Sequence, residues 1–306
     1  MRLFPILELT SPICKTNIGP ISVISFQRNI SNSTQYLQLN AISPTVLSIV
    51  NLSITTGTFP STLKSSIISP LLKKPSLNKE DLSNYRPIAN LSFISKLTEK
   101  IVKKRLLDHL TYNSLLNPFQ SAYTKFYSTK TTLLSLHDHL SNDISMQQVS
   151  CLCLLDLSAA FDTLDHSILL HCLSTWFGIS SVSLQWFTSY LSSSTSTVGI
   201  PPHSSPSLPL TYGVPQGFVL GSVLFNLYTT PLSSLISASS ISHLLYADDT
   251  HLFISFVPNN FSSAINNLQS TITLISSHLG CLLTISLSIP LKLNSFSSVS
   301  LSKPLK

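Results

Sequence analysis

The sequence predicts an α+β fold on three observations. Val149–Leu157 (VSCLCLLDL) is a nearly continuous apolar run ending in an acid, the pattern of a central strand with Asp156 near its C-terminal end. Leu244–Ile254 (LLYADDTHLFI) sets two adjacent carboxylates between two short apolar runs, the pattern of a hairpin with acids at its tip. Apolar residues recur at helical spacing in two further stretches: Ile94, Leu97, Ile101, Val102 and Leu106, and Phe261, Ala264, Ile265, Leu268, Ile272, Ile275 and Leu279.

Taken in order, residues 1–43 show no clear period and read as an irregular N-terminal segment. Pro44–Leu52 predicts a short helix entered at a proline, and Gly57-Thr58-Phe59-Pro60 breaks it. Ser65–Leu72 predicts a strand. Asn84–Ile88 presents Arg86 in an extended stretch held by Pro87. Ser92 or Ser95 caps a helix to about Leu110, with Lys96, Lys100, Lys103 and Lys104 on another face, either against a phosphate backbone or simply solvated. Asn117–Lys130 is polar and aromatic, and a helix spans about Ser128–Leu140. After the central strand, Ser158–Thr163 is a tight exit, Asp165 or Thr163 caps the next helix, and Val182–Leu191 is another. Ser192–Pro209 reads as a strand pair with a loop, and Gly213-Val214-Pro215-Gln216-Gly217 is a dense turn opening an apolar helix to about Leu235. The helix after the acidic hairpin ends at Gly280, beyond which the pattern fades.

Of the 306 residues, 43% are hydrophobic and only 10% charged, against about 25% charged in ordinary soluble domains. The net charge of +6 is unevenly spread. Twelve of the eighteen Lys and Arg lie between Lys64 and Lys130, with four acids. From Thr131 to Leu291 there is no Lys or Arg, but there are seven Asp: Asp138, Asp143, Asp156, Asp162, Asp165, Asp248 and Asp249. A basic half followed by an acid-only half suits a phosphate-gripping region joined to a metal-binding one. Five cysteines without a CxxC pair argue against a disulfide framework and a zinc site, and weakly for an intracellular (nuclear or cytoplasmic) setting. No run reaches the roughly 18 apolar residues of a membrane span, so no membrane partner is expected.

Adjacent Asp residues repel, and a cation relieves that repulsion. An ordinary surface turn is the alternative for Asp248-Asp249 taken alone. Placing the two strands side by side would bring Asp156 against both, and three carboxylates at one sheet end can hold two divalent ions roughly 3.5–4 Å apart for phosphoryl transfer. Hard oxygen ligands at a wet tip suit Mg²⁺.

Six segments in order carry a resemblance: GTFPSTLKSSIISPLLKKPSLNKEDLSNYRPIANLSFISKLTEKIV, NPFQSAYTKFYSTKTTLLSLHDHL, CLCLLDLSAAFDTLDHSILL, WFTSYL, GVPQGFVLGSVLFNLYTTPL and LLYADDTHLF. Their order and spacing, from about Pro44 to Leu293, resemble the reverse transcriptase of a LINE-type (non-LTR) retrotransposon. The resemblance implies a right-hand polymerase domain over residues 44–293, with fingers about 60–145, a palm of ferredoxin-like topology about 146–280, and a tail at 294–306. It implies RNA-directed DNA synthesis with an RNA template, a DNA primer and dNTPs, and two Mg²⁺ ions with Mn²⁺ as the alternative. Asp156, Asp248 and Asp249 would be the catalytic metal ligands. Phe161 would stack under the incoming sugar, Gln216 and Gly217 would line the template and nucleotide pocket, Arg86 would reach the triphosphate and Lys96 the template. Asp162 belongs to a Phe-Asp pair with a structural part.

The departures from the family pattern carry their own expectations. Phe218 replaces a usual Ser at the opening of a helix, a lost cap that costs on the order of 1 kcal/mol. Ser222 replaces a Pro, and Thr124, Tyr127 and Lys130 stand where Arg, His and Glu are common. Leu291–Asn294 is similar to the next family motif, with Ser297 in place of its Lys. Within these 306 residues the resemblance leads to the expectation that the thumb is absent and that no endonuclease stands upstream. The resemblance with these departures implies a truncated, partly degenerate polymerase that keeps its acids; the second function class is a catalytically silent nucleic-acid-binding remnant using the basic 64–130 region.

Overall fold

The computed structural model describes residues 33–157, 161–200, 202–279, 283–290 and 296–300. Its elements, in order, are α1 (Ser33–Thr56), β1 (Ser65–Leu72), β2 (Tyr85–Asn90), α2 (Phe93–Tyr112), α3 (Thr129–Ser145), β3 (Val149–Leu157), α4 (His166–Thr175), α5 (Ser181–Leu191), β4 (Ser194–Ile200), β5 (His203–Ser204), β6 (Leu208–Leu210), α6 (Gly221–Ala238), β7 (Ser242–Tyr246), β8 (Asp249–Phe256), α7 (Phe261–Leu279), β9 (Leu283–Pro290) and β10 (Phe296–Ser300). The α+β expectation holds. The chain divides into two compact units, one of Met1–Tyr112 with Asp165–Leu220, the other of Asn113–Leu164 with Gly221–Lys306.

The first unit is built on a sheet in the order β2-β1-β4-β5, with β6 also on β4. β1 and β2 run antiparallel and β1 and β4 parallel. Its core holds an aromatic cluster. Trp186 stacks on Tyr190 at 5.3 Å, and Phe59 meets both edge-on. The Trp186 indole donates to Ser53 Oγ at 3.0 Å, which satisfies the polar end of a buried ring. Lys64, counted above among the basic residues, donates to the Ser189 and Ser192 carbonyls at 2.6 and 3.0 Å. These oxygens close α5, so this cation serves a helix C-terminus. Asp165 caps α4, accepting from Ser167 and Ile168 N–H at 2.8 and 3.0 Å.

The second unit centres on an antiparallel sheet in the order β10-β9-β3-β8-β7. Its chain order, β3-α6-β7-β8-α7-β9, is a βαββαβ arrangement. Strand alternation gives β3 two apolar faces. Cys151, Cys153 and Leu155 pack with Leu232 and Ile236 of α6 and Ala264, Leu268 and Ile275 of α7. Leu152 packs on the opposite face with Leu136 of α3 and Phe253 of β8. Burial pushes the Cys153 thiol up to about 12, so both cysteines act as small core hydrophobes. Asp143 is a structural acid: its Oδ2 accepts from Ser150 Oγ at 2.7 Å and from Ser255 Oγ, joining α3 to β3 and β8.

Two expectations are corrected. The helix expected to start at Pro44 begins at Ser33 and carries Pro44 inside it. The stretch where periodicity was expected to fade forms β9 and β10, with β9 paired to β3 from Leu152↔Ser288 to Leu157↔Leu283. The Ser158–Ala160 exit, Gly280 and the Leu291–Asn294 motif lie outside the described residues. Among the described residues no helix is long and apolar enough to cross a membrane.

His243 of β7 is 2% exposed, 2.6 Å from Ser233 Oγ, and its ring lies tilted against Phe119 with centroids 4.4 Å apart. Burial holds its imidazole below the ordinary range, against a backbone hydrogen bond at Ile241. A depressed histidine adds stability that is complete above its unfolded value, about 6.5, and is lost as pH falls. Burial acts on His251 in the same direction. Urea midpoints are expected to drop between pH 7.5 and 5, and by less in His243→Leu; equal drops would assign the acid lability elsewhere.

Candidate active site

In the second unit, register decides where the acids meet. β3 and β8 pair from Val149↔Phe256 to Asp156↔Asp249, so the last pair of the ladder is two carboxylates directly opposed. Cross-strand partners share a face. Asp156 and Asp249 therefore emerge on the side of Leu154 and His251, beyond the apolar cluster around Leu152 and Phe253. Tyr246 pairs with Asp249 across β7 and β8, which leaves Ala247 and Asp248 as a two-residue turn. Asp248 is half-buried, and Asp156 and Asp249 are exposed. Partial burial pushes the Asp249 carboxyl up, and the charges of Asp248 and Asp156 push it further. The charges of Asp248 and Asp156 thus both reach Asp249, the residue that the strand pairing sets beside them.

The turn is held from outside the hairpin. Ala247 adopts φ 54°, an uncommon conformation for a residue with a side chain. Gln120, 5% exposed, fixes it with both ends of its amide: Ala247 N–H donates to Oε1 at 3.1 Å, and Nε2 donates to the Ala247 carbonyl at 3.3 Å. Oε1 also accepts from Ala122 N–H at 3.0 Å. Around it, Leu245 N–H donates to the Phe119 carbonyl at 2.8 Å and Ser121 N–H to the Leu245 carbonyl at 2.9 Å, covering the outer edge of β7. Sequence reasoning missed Gln120, which lies in a segment without hydrophobic period. Phe161 stacks on Phe225 of α6 at 4.6 Å, and Asp162 beside it is exposed.

The donor chemistry at the tip fits a divalent cation: three hard-oxygen ligands whose mutual repulsion a cation would relieve. Among the described residues, however, no group of three or more His, Cys, Asp or Glu side chains converges closely enough to hold an ion. The acids are neighbours in register and in charge without forming a closed cage.

The remaining expected site residues lie in the first unit. Arg86 is exposed on β2, paired with Leu71. Three residues on, Ala89 N–H donates to the Gln216 carbonyl at 2.7 Å, so the Gly213–Gly217 loop docks on the same strand while the Gln216 side chain stays exposed. Gly217 has φ 107°, and a Cβ there would stand 2.3 Å from the Ala89 carbonyl oxygen. Only glycine fits this approach. Gly217→Ala is expected to cost about 3 kcal/mol, read as a lower urea midpoint; an unchanged midpoint would mean the loop does not dock this way. Lys96 is half-buried near the start of α2.

The buried side of α2 is polar over its first turns and apolar further on: Ser95, Thr98 and Glu99, then Leu106 and Leu110, lie deeper than Ile94, Leu97, Ile101 and Val102. The expected apolar stripe holds at Leu106 and is corrected at its four earlier positions. Glu99 accepts from the Tyr190 hydroxyl at 3.0 Å, from Leu220 N–H at 3.2 Å and from Val219 N–H. Burial pushes its carboxyl up, and these hydrogen bonds and the charge of Lys96 pull it back. Phe218 was expected to leave a helix opening uncapped. Instead the two N–H groups that follow it are taken by Glu99, and its own ring lies 6.4 Å from Tyr190.

The sequence profile of the reverse transcriptase (RNA-dependent DNA polymerase) family matches residues 72–279. The chain is 29% identical over 256 residues to a probable RNA-directed DNA polymerase from transposon BS of Drosophila melanogaster, covering 81% of this chain and 27% of that protein. It is 31% identical over 181 residues to a retrovirus-related Pol polyprotein from the type-1 retrotransposable element R2 of Popillia japonica, covering 56% and 25%. Against the RNA-directed DNA polymerase from mobile element jockey of Drosophila melanogaster it is 25% identical over 207 residues, covering 66% and 22%. The chain spans about a quarter of the length of these curated relatives. The profile match covers most of the chain, the acids fall at one sheet end, and the relatives are of one kind: this chain belongs to the reverse transcriptase (RNA-dependent DNA polymerase) family, of the LINE type.

Proposed function

We propose that this chain is an RNA-directed DNA polymerase domain that joins deoxynucleotides to a primer 3′-hydroxyl on an RNA template. The observation that carries the reading is the register that sets Asp156 against Asp249 with Asp248 in the adjoining turn. The βαββαβ order of the second unit agrees with a ferredoxin-like palm, with the fingers in about residues 60–145. Asp156, Asp248 and Asp249 would hold two divalent ions, Mg²⁺ or Mn²⁺. When bound, such ions supply charge neutralisation on the triphosphate and a more acidic primer hydroxyl.

The chain's own groups do the rest. Gln120 keeps the Ala247-Asp248 turn in one conformation, so the carboxylates are presented without reorganisation at each addition. Phe161, backed by Phe225, offers a flat apolar surface for the sugar of the incoming nucleotide. Arg86 presents a fork of donors suited to a triphosphate, and Gln216, held by its backbone on β2, presents an amide to template or nucleotide. Lys96 offers one positive charge to the template.

A second reading, a silent nucleic-acid-binding remnant, is favoured by one observation: Thr131–Leu291 holds no Lys or Arg with which to grip a duplex backbone. Primer extension on an RNA template with Mg²⁺ separates the two. Incorporation that disappears in Asp248→Asn supports the polymerase. Salt-dependent RNA binding without incorporation supports the remnant.

A further inference from the structure

The segment that clamps the acid tip carries three exposed rings. After Ala122, whose carbonyl accepts from Asn226 Nδ2 at 3.0 Å, the chain turns outward. Tyr123 and Phe126 both lie in the left-handed region, at φ 61° and 71°, a rare conformation for bulky residues. Such backbone persists where its surroundings impose it. Here both ends are fixed: Gln120 ties one to the acid turn, and Ser128 ties the other in a capping box with Thr131. Neither strained residue sends its ring into the core. Phe126 is 86% exposed, Tyr123 56% and Tyr127 57%. The Lys125 ammonium sits 4.7 Å from the centre of the Phe126 ring. Tyr123 is close enough to the acid tip that the charge of Asp248 adds to burial in pushing its phenol up.

We propose that Tyr123, Phe126 and Tyr127 form a stacking platform for unpaired bases of a single-stranded nucleic acid passing the acid tip. The proposal builds on the polymerase reading and names a contact of that site. Every base has a π face, so rings of this kind hold a strand whatever its sequence. This unit needs such a hold: between Asn113 and Leu291 its only cations of the Lys and Arg type are Lys125 and Lys130. Stacking supplies affinity that does not depend on releasing counterions. A protein-docking patch would have an apolar centre and avoid lysine, whereas here the most exposed ring, Phe126, carries the Lys125 ammonium over it.

The test is fluorescence anisotropy of a labelled oligouridylate of about a dozen nucleotides, over a salt series, without metal or dNTP. Phe126→Leu and Tyr127→Leu are each expected to bind roughly tenfold more weakly with an unchanged salt slope. Lys125→Gln should lower the slope by about one. Phe126→Trp should retain affinity. Phe126→Gly removes the ring and the backbone strain together, so its melting temperature should rise by about a few degrees while binding weakens. Leucine variants that bind as wild type, or a Phe126→Gly protein that loses stability, would overturn the platform; unchanged oligonucleotide affinity with self-association of the wild type would assign the rings to a protein contact. Because binding is read without catalysis, absence of incorporation alone would refute the polymerase reading and leave the platform standing.

Discussion

Asp156→Asn is expected to lower nucleotide incorporation about a thousandfold, roughly 4 kcal/mol, while raising stability at neutral pH by about 0.5 kcal/mol. The two effects have one cause. Asp156 and Asp249 are directly opposed in the ladder, and like charges so placed repel. Partial burial pushes the Asp249 carboxyl up first, and the charges of Asp248 and Asp156 add to it. A carboxyl raised in the folded state costs stability once pH rises above its unfolded value, about 3.9, and that cost grows until the folded value is passed. Acidification through this window therefore stabilises the wild type, opposite in sign to the effect of His243. The asparagine removes one of the two charges, so the gain on acidification shrinks. Solvent screening at these exposed groups keeps the stability term small. Thermal melts with and without Mg²⁺ give the third readout: the ion should stabilise the wild type more than the variant. A variant that keeps incorporation, or melts lower at neutral pH, would remove Asp156 from the site.

Much of the fold was legible because it depends on short-range signals. β1 and β3 match their apolar runs to the residue, and Ser128 and Asp165 cap helices as their side chains suggest. The acidic hairpin was legible for the same reason, and the meeting of Asp156 with Asp249 followed from laying two strands side by side. β9 was missed although Leu283, Ile285, Leu287 and Ile289 alternate with Thr284, Ser286 and Ser288. That period of two is the mark of a strand, and the serine-rich background hid it. Pro44 favours a helix entrance in sequence, yet it lies within a longer helix.

The residues that support the site were harder to read, because their roles are made by distant partners. Gln120 meets Ala247 across 127 residues of sequence, and Glu99 meets Leu220 across 121. No local pattern encodes either pairing. Periodicity also misdirects over the first turns of α2, where it selects Ile94, Leu97, Ile101 and Val102 while the buried line runs through Ser95, Thr98 and Glu99 before reaching Leu106 and Leu110. A lysine such as Lys64 looks like one more phosphate contact until its two carbonyl partners at the end of α5 are known.

Glu99→Ala should be the most damaging single change in the first unit, costing about 4 kcal/mol and about 10 °C in melting temperature. Glu99 is fully buried and is the shared acceptor of three donors: the Tyr190 hydroxyl, Leu220 N–H and Val219 N–H. Alanine leaves all three without a partner, and each buried orphan costs about 1–3 kcal/mol. The carboxylate bears a burial penalty of its own, seen in its upward-pushed carboxyl, which offsets part of that sum. Glu99→Gln keeps one acceptor oxygen but turns an amide N–H toward a former donor, so about half the loss should remain. The damage should also reach the loop. Val219 lies two residues after Gly217, whose contact with Ala89 sets the Gln216 backbone, so a freed 218–220 segment loosens the hold on Gln216. The Gln216-dependent share of nucleotide affinity should fall in Glu99→Ala at temperatures where the protein is still folded. A melting temperature within about two degrees of wild type would show that water takes the place of the carboxylate, and that Glu99 is not what holds this loop.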